Sequence, residues 1–401
     1  MSYRKLRVAF VDYVLEPDQP GMTGLSDIVW DMASELANQG HEVHIVASYH
    51  TNKIPDERVT LHNFKTPPLG YRNIVGQLWI LKRATKVVQR ISPDVVHAPE
   101  YVSTAVMASL RVESPIVLTV PGNIFHKLSI PGGSGYEWHF AKVLKWAART
   151  SAKKCAAVIA TSSEMKVWWE RTGSPPARTP MIPLGVNIEK IRWVENGRQL
   201  LGLDSRKCLL YVGRFSIEKG VMDLIEAINL LPSEEKANLQ FTLIGKGTLQ
   251  RQMEATISQY HLQSSVRVMP WISQSELLKW YSGADFLVLP SRSEGLSRVL
   301  LEAMACGLPV VGSRVSGTSD HVVNNVTGYL FAPGNTQELA EILGKISQDR
   351  SFNQHMRNNT MNYVSEGLTW PYLISKIVDT VYIPVTEGRL PGAKTEGKRS
   401  D

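Results

Sequence analysis

Short runs of apolar, β-branched residues alternate with longer stretches of helical periodicity along this chain. Leu6–Val11 is followed by a helical pattern over Gly24–Asn38, then by Val43–Ala47 and Val59–Phe64. The series continues with a helix near Ile74–Arg90, the run Val95–His97, a helix near Val102–Arg111, and Ile116–Val120. A helix near Glu137–Lys153, the run Ala157–Ala160 and a short helix from Ser163 complete it. Short strands separated by helices of this length predict βαβ units, and hence a parallel, doubly wound α/β sheet.

The pattern then resets. Pro180–Asn187 carries two prolines and a glycine, which stop regular structure and mark a hinge or linker. Beyond it a second series begins: Cys208–Val212, Phe241–Ile244, Val266–Met269, Phe286–Leu289 and Pro309–Val311, each followed by a helical segment. Two doubly wound domains are expected, 1–185 and 186–365. The last helical patterns hold Trp370, Tyr372 and Ile374, an apolar load that has to pack somewhere, whereas 387–401 has no apolar periodicity and reads as a disordered tail. No repeat of solenoid period is present.

Composition narrows the class. A chain of 401 residues, 43% hydrophobic and 20% charged, suits two or three globular domains. No uninterrupted apolar stretch reaches the roughly 18 residues that span a bilayer. Arg4, Lys5 and Arg7 precede the first apolar run, but Asp12 interrupts it, so a β-strand is expected there and not a signal peptide. The three cysteines are far apart and lack zinc-ligand spacing, which makes a reducing cytoplasm the expected setting. Residues 1–185 carry 21 Lys and Arg against 15 Asp and Glu, so nearly all of the +7 net charge lies in that half. Such an excess suits an anionic partner, lipid headgroup or phosphate, or is ordinary solvation. Tyr136–Phe140 with Lys142, Lys145, Trp146, Arg149, Lys153 and Lys154 has two readings: a basic aromatic helix against an anionic membrane, or a helix burying its aromatics on the sheet. Nothing points to nucleic acid.

In open parallel sheets ligands bind beyond the carboxyl ends of the strands, so the residues just after strands carry the candidate chemistry. Leu210–Gly220 holds Gly213, Arg214 and Lys219 on one strand-to-helix loop, and two cations near a helix N-terminus make a diphosphate site. Leu287–Ala303 again passes from strand through loop to helix, with Glu294 in the loop, Glu302 in the helix and seven residues between them. Around an anion site, two such carboxylates make sense if they face hydroxyls, such as those of a sugar and a ribose.

These segments together resemble the donor-site signature of the family-four retaining glycosyltransferases. The match rests on Gly213–Arg214–Phe215, Glu218–Lys219–Gly220 and the Glu294/Glu302 pair. It is supported by Ile182–Asn187, Leu301–Val311 and Asn325–Phe331. The resemblance implies the GT-B arrangement, two Rossmann-like domains facing a cleft, with 1–185 on the acceptor side, 186–365 binding the nucleotide sugar and 366–386 crossing back to the first domain. It implies that Arg214 and Lys219 bind the diphosphate and stabilise the leaving charge without a metal. Glu294 would take the sugar hydroxyls and Glu302 the ribose. The N–H groups of Ser297, Arg298 and Val299 would cap the phosphate, and the backbone near Ile272 would meet the base. Gly21 and Gly24, in the loop after the first strand, would let backbone approach the phosphates. The nucleotide sugar is a substrate, and no cofactor is expected.

Some positions depart from the family pattern. Asp320 stands where relatives carry Glu, and Pro121 where a His is often found. His97, at the end of the Val95–His97 run, stands either against a sugar hydroxyl or buried on backbone partners; His126 is a second candidate. Rival readings are a nucleotide-sugar epimerase or a phosphorylase on the same fold, or a non-catalytic sugar-nucleotide binder. Against the phosphorylase, the chain is short and has no candidate pyridoxal-binding lysine segment. Dinucleotide fingerprint, P-loop, nucleophile elbow and zincin motifs are absent.

Overall fold

The computed structural model describes residues 4–15, 24–49, 56–64, 74–99, 101–110, 112–120, 141–348 and 354–390. The chain divides into two compact units. One takes the described residues up to Leu184 and those from Trp370 onward; the other includes Gly185–Thr369.

The first unit is built on a parallel sheet ordered β3-β2-β1-β4-β5-β6. Its strands are β1 (Arg7–Leu15), β2 (Glu42–Tyr49), β3 (Val59–Asn63), β4 (Val95–Ala98), β5 (Ile116–Val120) and β6 (Ala157–Ala160). Every residue of β4, β5 and β6 is buried, which is why these strands read as unbroken apolar runs and not as an alternation. The helix Gly24–Asn38 packs against the helix Trp370–Ile377, and Gln39 Nε2 donates to the Pro371 carbonyl at 3.1 Å. The expected start of the returning segment at 366 falls inside the helix Gln354–Gly367 of the other unit, so the return begins at Trp370.

Beyond Ile377 the helix widens into a π-turn, Val378–Tyr382, just before Pro384. Proline has no N–H for the preceding turn, and a widened turn absorbs the missing bond. The expected tail does not begin at 387: Glu387, Gly388 and Arg389 donate to the carbonyls of Ile383, Val385 and Pro384, and Gly388 at φ +65° closes the helix. Residues 391–401 lie outside the described residues.

The second unit has the sheet order β12-β11-β10-β7-β8-β9, again all parallel. Its strands are β7 (Lys207–Val212), β8 (Leu239–Ile244), β9 (Val266–Met269), β10 (Phe286–Leu289), β11 (Val310–Ser313) and β12 (Gly328–Phe331). Tyr211, Phe215, Phe241 and Phe331 anchor its core, with the apolar stripe of the helix Val221–Leu230 laid across it. The chain leaves β7 toward β8 on one side and meets β10 on the other. The topological switch point, where the loops after β7 and β10 part, therefore lies over the centre of this sheet.

Candidate active site

The loop after β7 runs from Gly213 to Gly220, and buried Phe215 pins it: the Phe215 N–H donates to the Lys246 carbonyl at 3.0 Å and the Phe215 carbonyl accepts from Leu249 N–H at 3.0 Å. It tightens into a single 3₁₀ turn, Ile217–Lys219, and then Gly220 adopts φ +65°. A Cβ at Gly220 would stand 1.9 Å from the Pro290 carbonyl oxygen. Only glycine permits both the left-handed backbone and this approach, and the approach brings the loop after β10 alongside.

That second loop is bolted in place. Arg292 N–H donates to the Glu218 carbonyl at 2.9 Å, and its guanidinium meets both oxygens of Asp223 at 2.8 and 2.6 Å. Ser313 Oγ donates to the Ser291 carbonyl. The loop after β11 closes on it too: a Cβ at Gly317 would lie 2.1 Å from the Gly295 carbonyl oxygen.

The result is a direct bond between the predicted cation and the predicted carboxylate, from Lys219 Nζ to Glu294 Oε2, although 75 positions separate them. Ser291 Oγ donates to the same oxygen at 3.3 Å. Both charged side chains are half-buried or deeper, at 22% and 13% exposure. Beneath them, burial pushes the Tyr211 phenol above its usual pKa, and the charges of Glu294 and Glu218 push the same way. Its hydroxyl donates to the Arg214 carbonyl at 2.7 Å, and a Cβ at Gly213 would come within 3.2 Å of that hydroxyl. Arg214 shares the loop, but its guanidinium pairs with Glu218 at 3.1 Å.

Glu302 forms a separate cluster. Buried to 6% exposure, it receives Arg298 at 3.2 Å, Gln274 Nε2 at 3.2 Å and the Tyr281 hydroxyl at 3.2 Å. Burial, reinforced by Glu302, raises the Tyr281 phenol well above its usual range. Gln274 and Tyr281 belong to the helix Gln274–Gly283, whose N-cap, Ser273, follows half-buried Ile272. The predicted base-facing residue thus leads directly into the helix that holds the predicted ribose-facing one. Ser297 stands at the N-cap position of the helix Arg298–Ala305 without a side-chain capping bond, and Val299 lies in its first turn; the leading N–H groups of a helix lack partners within it and favour an anion.

Of the two readings of His97, against a sugar hydroxyl or buried on backbone partners, the structure shows burial, with side chains as the partners. His97 is 1% exposed, with Nδ1 on the Tyr382 hydroxyl and Nε2 on Thr119 Oγ1 at 2.8 Å, and burial lowers its pKa to about 3. With both nitrogens engaged on side chains, it acts as a strut between β4, β5 and the returning segment. Gly24 opens the helix after β1, while Gly21, Pro121, His126 and Tyr136–Phe140 lie outside the described residues. Asp320 follows the short helix Ser316–Ser319 and accepts from the Tyr363 hydroxyl through its carbonyl at 3.3 Å.

The sequence does not reveal Ser291, Asp223, Gln274 or Tyr281 as supports, because each acts on a partner remote in the chain. Among the described residues no group of His, Cys, Asp and Glu could hold a metal ion.

Comparison with known proteins places the chain in a family. The family model for glycosyl transferases group 1 matches residues 195–363, and that for Glycosyltransferase Family 4 matches residues 22–190. An uncharacterised glycosyltransferase of Methanocaldococcus jannaschii is 24% identical over 397 residues, covering 94% of this chain and 98% of its own. Among solved structures, sucrose-phosphate synthase from Thermosynechococcus elongatus superposes with a TM-score of 0.81 at 22% identity, covering 96% of this chain and 100% of that one. HepE of Anabaena, in complex with UDP-glucose, superposes at 0.73 with 21% identity over 94% and 99%. With both family models matched in sequence and the fold shared along the whole length, this chain belongs to the family-four glycosyltransferases of GT-B fold.

Proposed function

We propose that this protein transfers a hexose from a nucleotide-diphosphate sugar to an acceptor hydroxyl, with retention of anomeric configuration and without a metal. The observation that carries the reading is the Lys219–Glu294 contact across the switch point of the second unit's sheet. A cation and a carboxylate already paired form a site whose two halves suit different parts of one ligand. The donor's diphosphate takes Lys219 and Arg214, and Glu294, relieved of its partner, accepts hydrogen bonds from the sugar hydroxyls. Glu302 receives the ribose, the N–H groups of Ser297, Arg298 and Val299 face the phosphate, and backbone at Ile272 meets the base. Charge builds on the leaving phosphate as the bond from the anomeric carbon to phosphate oxygen breaks, and the two cations stabilise it. The acceptor oxygen bonds to the anomeric carbon from the same face, and its proton passes to the departing phosphate. HepE, a structural neighbour, binds UDP-glucose, which makes UDP-sugars the first donors to screen by thermal shift beside GDP- and ADP-sugars.

Lys219→Ala and Glu294→Ala are each expected to lower transfer by about 10²-fold or more, as removing one preorganised charge from a transition state does. Circular dichroism and the melting temperature check that the fold persists. Full transfer in both variants overturns the assignment. Slow hydrolysis of donor to free nucleoside diphosphate separates the enzyme from a binder.

We further propose that the protein works in the cytoplasm at the inner face of a membrane, through the helix Ala141–Lys154. Trp146 is 49% exposed there, and Lys145, Arg149, Lys153 and Lys154 are exposed beside it. No described helix is long and apolar enough to cross a bilayer.

A further inference from the structure

The second unit has a recess at the other end of its sheet from Lys219 and Glu294. It encloses about 630 Å³, within the range of small-ligand pockets, and residues of this unit alone line it. Lys207 opens β7 and Asp285 immediately precedes β10, so the recess lies at the amino ends of the two strands whose carboxyl ends carry the donor loops. A six-residue strand sets the two places roughly 20 Å apart. The helix Gln274–Gly283 is a shared wall: Gln274 and Tyr281 hold Glu302, and Ser282 and Gly283 line the recess.

Charge decides what fits. Among the lining residues, Arg198, Arg206, Lys207 and Arg357 face one carboxylate, Asp285. Arg198 takes Asp285 at 2.8 Å, and Arg206 is held at 2.8 Å by Asp204 on the flank. Arg357 is 4% exposed; it donates to the Ala284 carbonyl, and its guanidinium carbon stands 5.0 Å from the centre of the Trp193 ring. Burial lowers the Arg357 pKa to about 10, opposed by Asp285 and assisted by the neighbouring charge of Arg198. Four cations, one buried and three half-exposed, against a single lining carboxylate gain from an oxyanion between them, and a neutral guest supplies no such gain.

We propose that this recess is a second anion site, taking a small phosphate-bearing ligand independently of the sugar-nucleotide donor. It does not rest on the transfer reaction and stands or falls by binding alone. The test is isothermal titration calorimetry of the full chain with inorganic pyrophosphate at constant ionic strength, in a Lys219→Ala background that disables the donor loops. One saturable site is expected to remain. Adding Arg206→Gln and Lys207→Gln is expected to weaken it by about tenfold or more. Adding Ser205→Glu alone, at an exposed lining position, brings a negative charge to the rim without removing any contact and is expected to weaken it in the same direction. No saturable binding in the Lys219→Ala protein overturns the proposal, as does binding unchanged by Ser205→Glu and by the double substitution.

Discussion

Gly220 does two things that no other residue type can do together. Its backbone sits at φ +65°, and its missing Cβ leaves room for the Pro290 carbonyl. An L-residue in the left-handed region loses about 1–2 kcal/mol, and at Gly220 the added methyl also meets a backbone atom that cannot rotate away. Gly220→Ala is therefore expected to destabilise the protein by about 2 kcal/mol or more in urea unfolding, since strain and overpacking add. It should also weaken donor binding by parting Lys219 from Glu294. Unchanged stability and donor affinity would count against the loop contact as the organiser of the site. At this scale the sequence is a good guide to charge and a poor one to support. Arg214, Lys219, Glu294 and Glu302 stand out because charged residues after buried strands are conspicuous. Ser291, Tyr281 and the Asp223–Arg292 clamp do not, because only the folded chain brings them to their partners. The three cysteines are quiet by the same logic: all are buried, and burial first of all raises their thiol pKa values, for Cys208 and Cys306 to about 12.

Among the elements, buried strands were the most legible. Ile116–Val120, Ala157–Ala160 and Phe286–Leu289 coincide with the apolar runs, since burial on both faces demands continuous hydrophobicity. β12 escaped as a strand: it is four residues long, begins with glycine and keeps Tyr329 and Leu330 half-exposed at the sheet edge. The π-turn at Val378–Tyr382 was also hidden, because periodicity alone does not show how a helix accommodates Pro384. The helix Ala141–Lys154 illustrates the ambiguity of an amphipathic pattern. Its Ala147, Ala148 and Ser151 face inward and Trp146 faces out, so the described tryptophan is not spent on the core. The chain is expected to sediment with anionic vesicles and not with neutral ones, and Trp146→Ala with Arg149→Gln should reduce that binding. Equal partition into both vesicle types, or into neither, would exclude the membrane contact.

At the scale of the whole molecule, burial pushes four histidines in one direction. It depresses His41, His62, His97 and His321 below the ordinary imidazole value, with Lys5 adding to the effect at His41 and His44 at His62, and Asp320 opposing it at His321. Each binds a proton less readily in the fold than in the unfolded chain, which takes up protons as the pH falls through about 6.5. Stability is thus fully present above that value and declines below it, the His97 contribution running down to about 3. Urea midpoints are expected to fall between pH 7 and 5, before most carboxylates titrate, and a flat profile across that interval would contradict the buried neutral rings. The largest-scale feature, two parallel doubly wound sheets, was legible from the reset after Pro183, though not the sixth strand of the second, whereas the return of the chain from Trp370 came only with a family resemblance. That return has a consequence for how the polypeptide matures on the ribosome. Tyr382 reaches His97 from 285 positions downstream, so the amino-terminal half emerges with its keystone still unsynthesised. The later-made sheet is complete before the earlier one can be locked, and the nascent chain must shelter an unfinished surface until Tyr382 has been added.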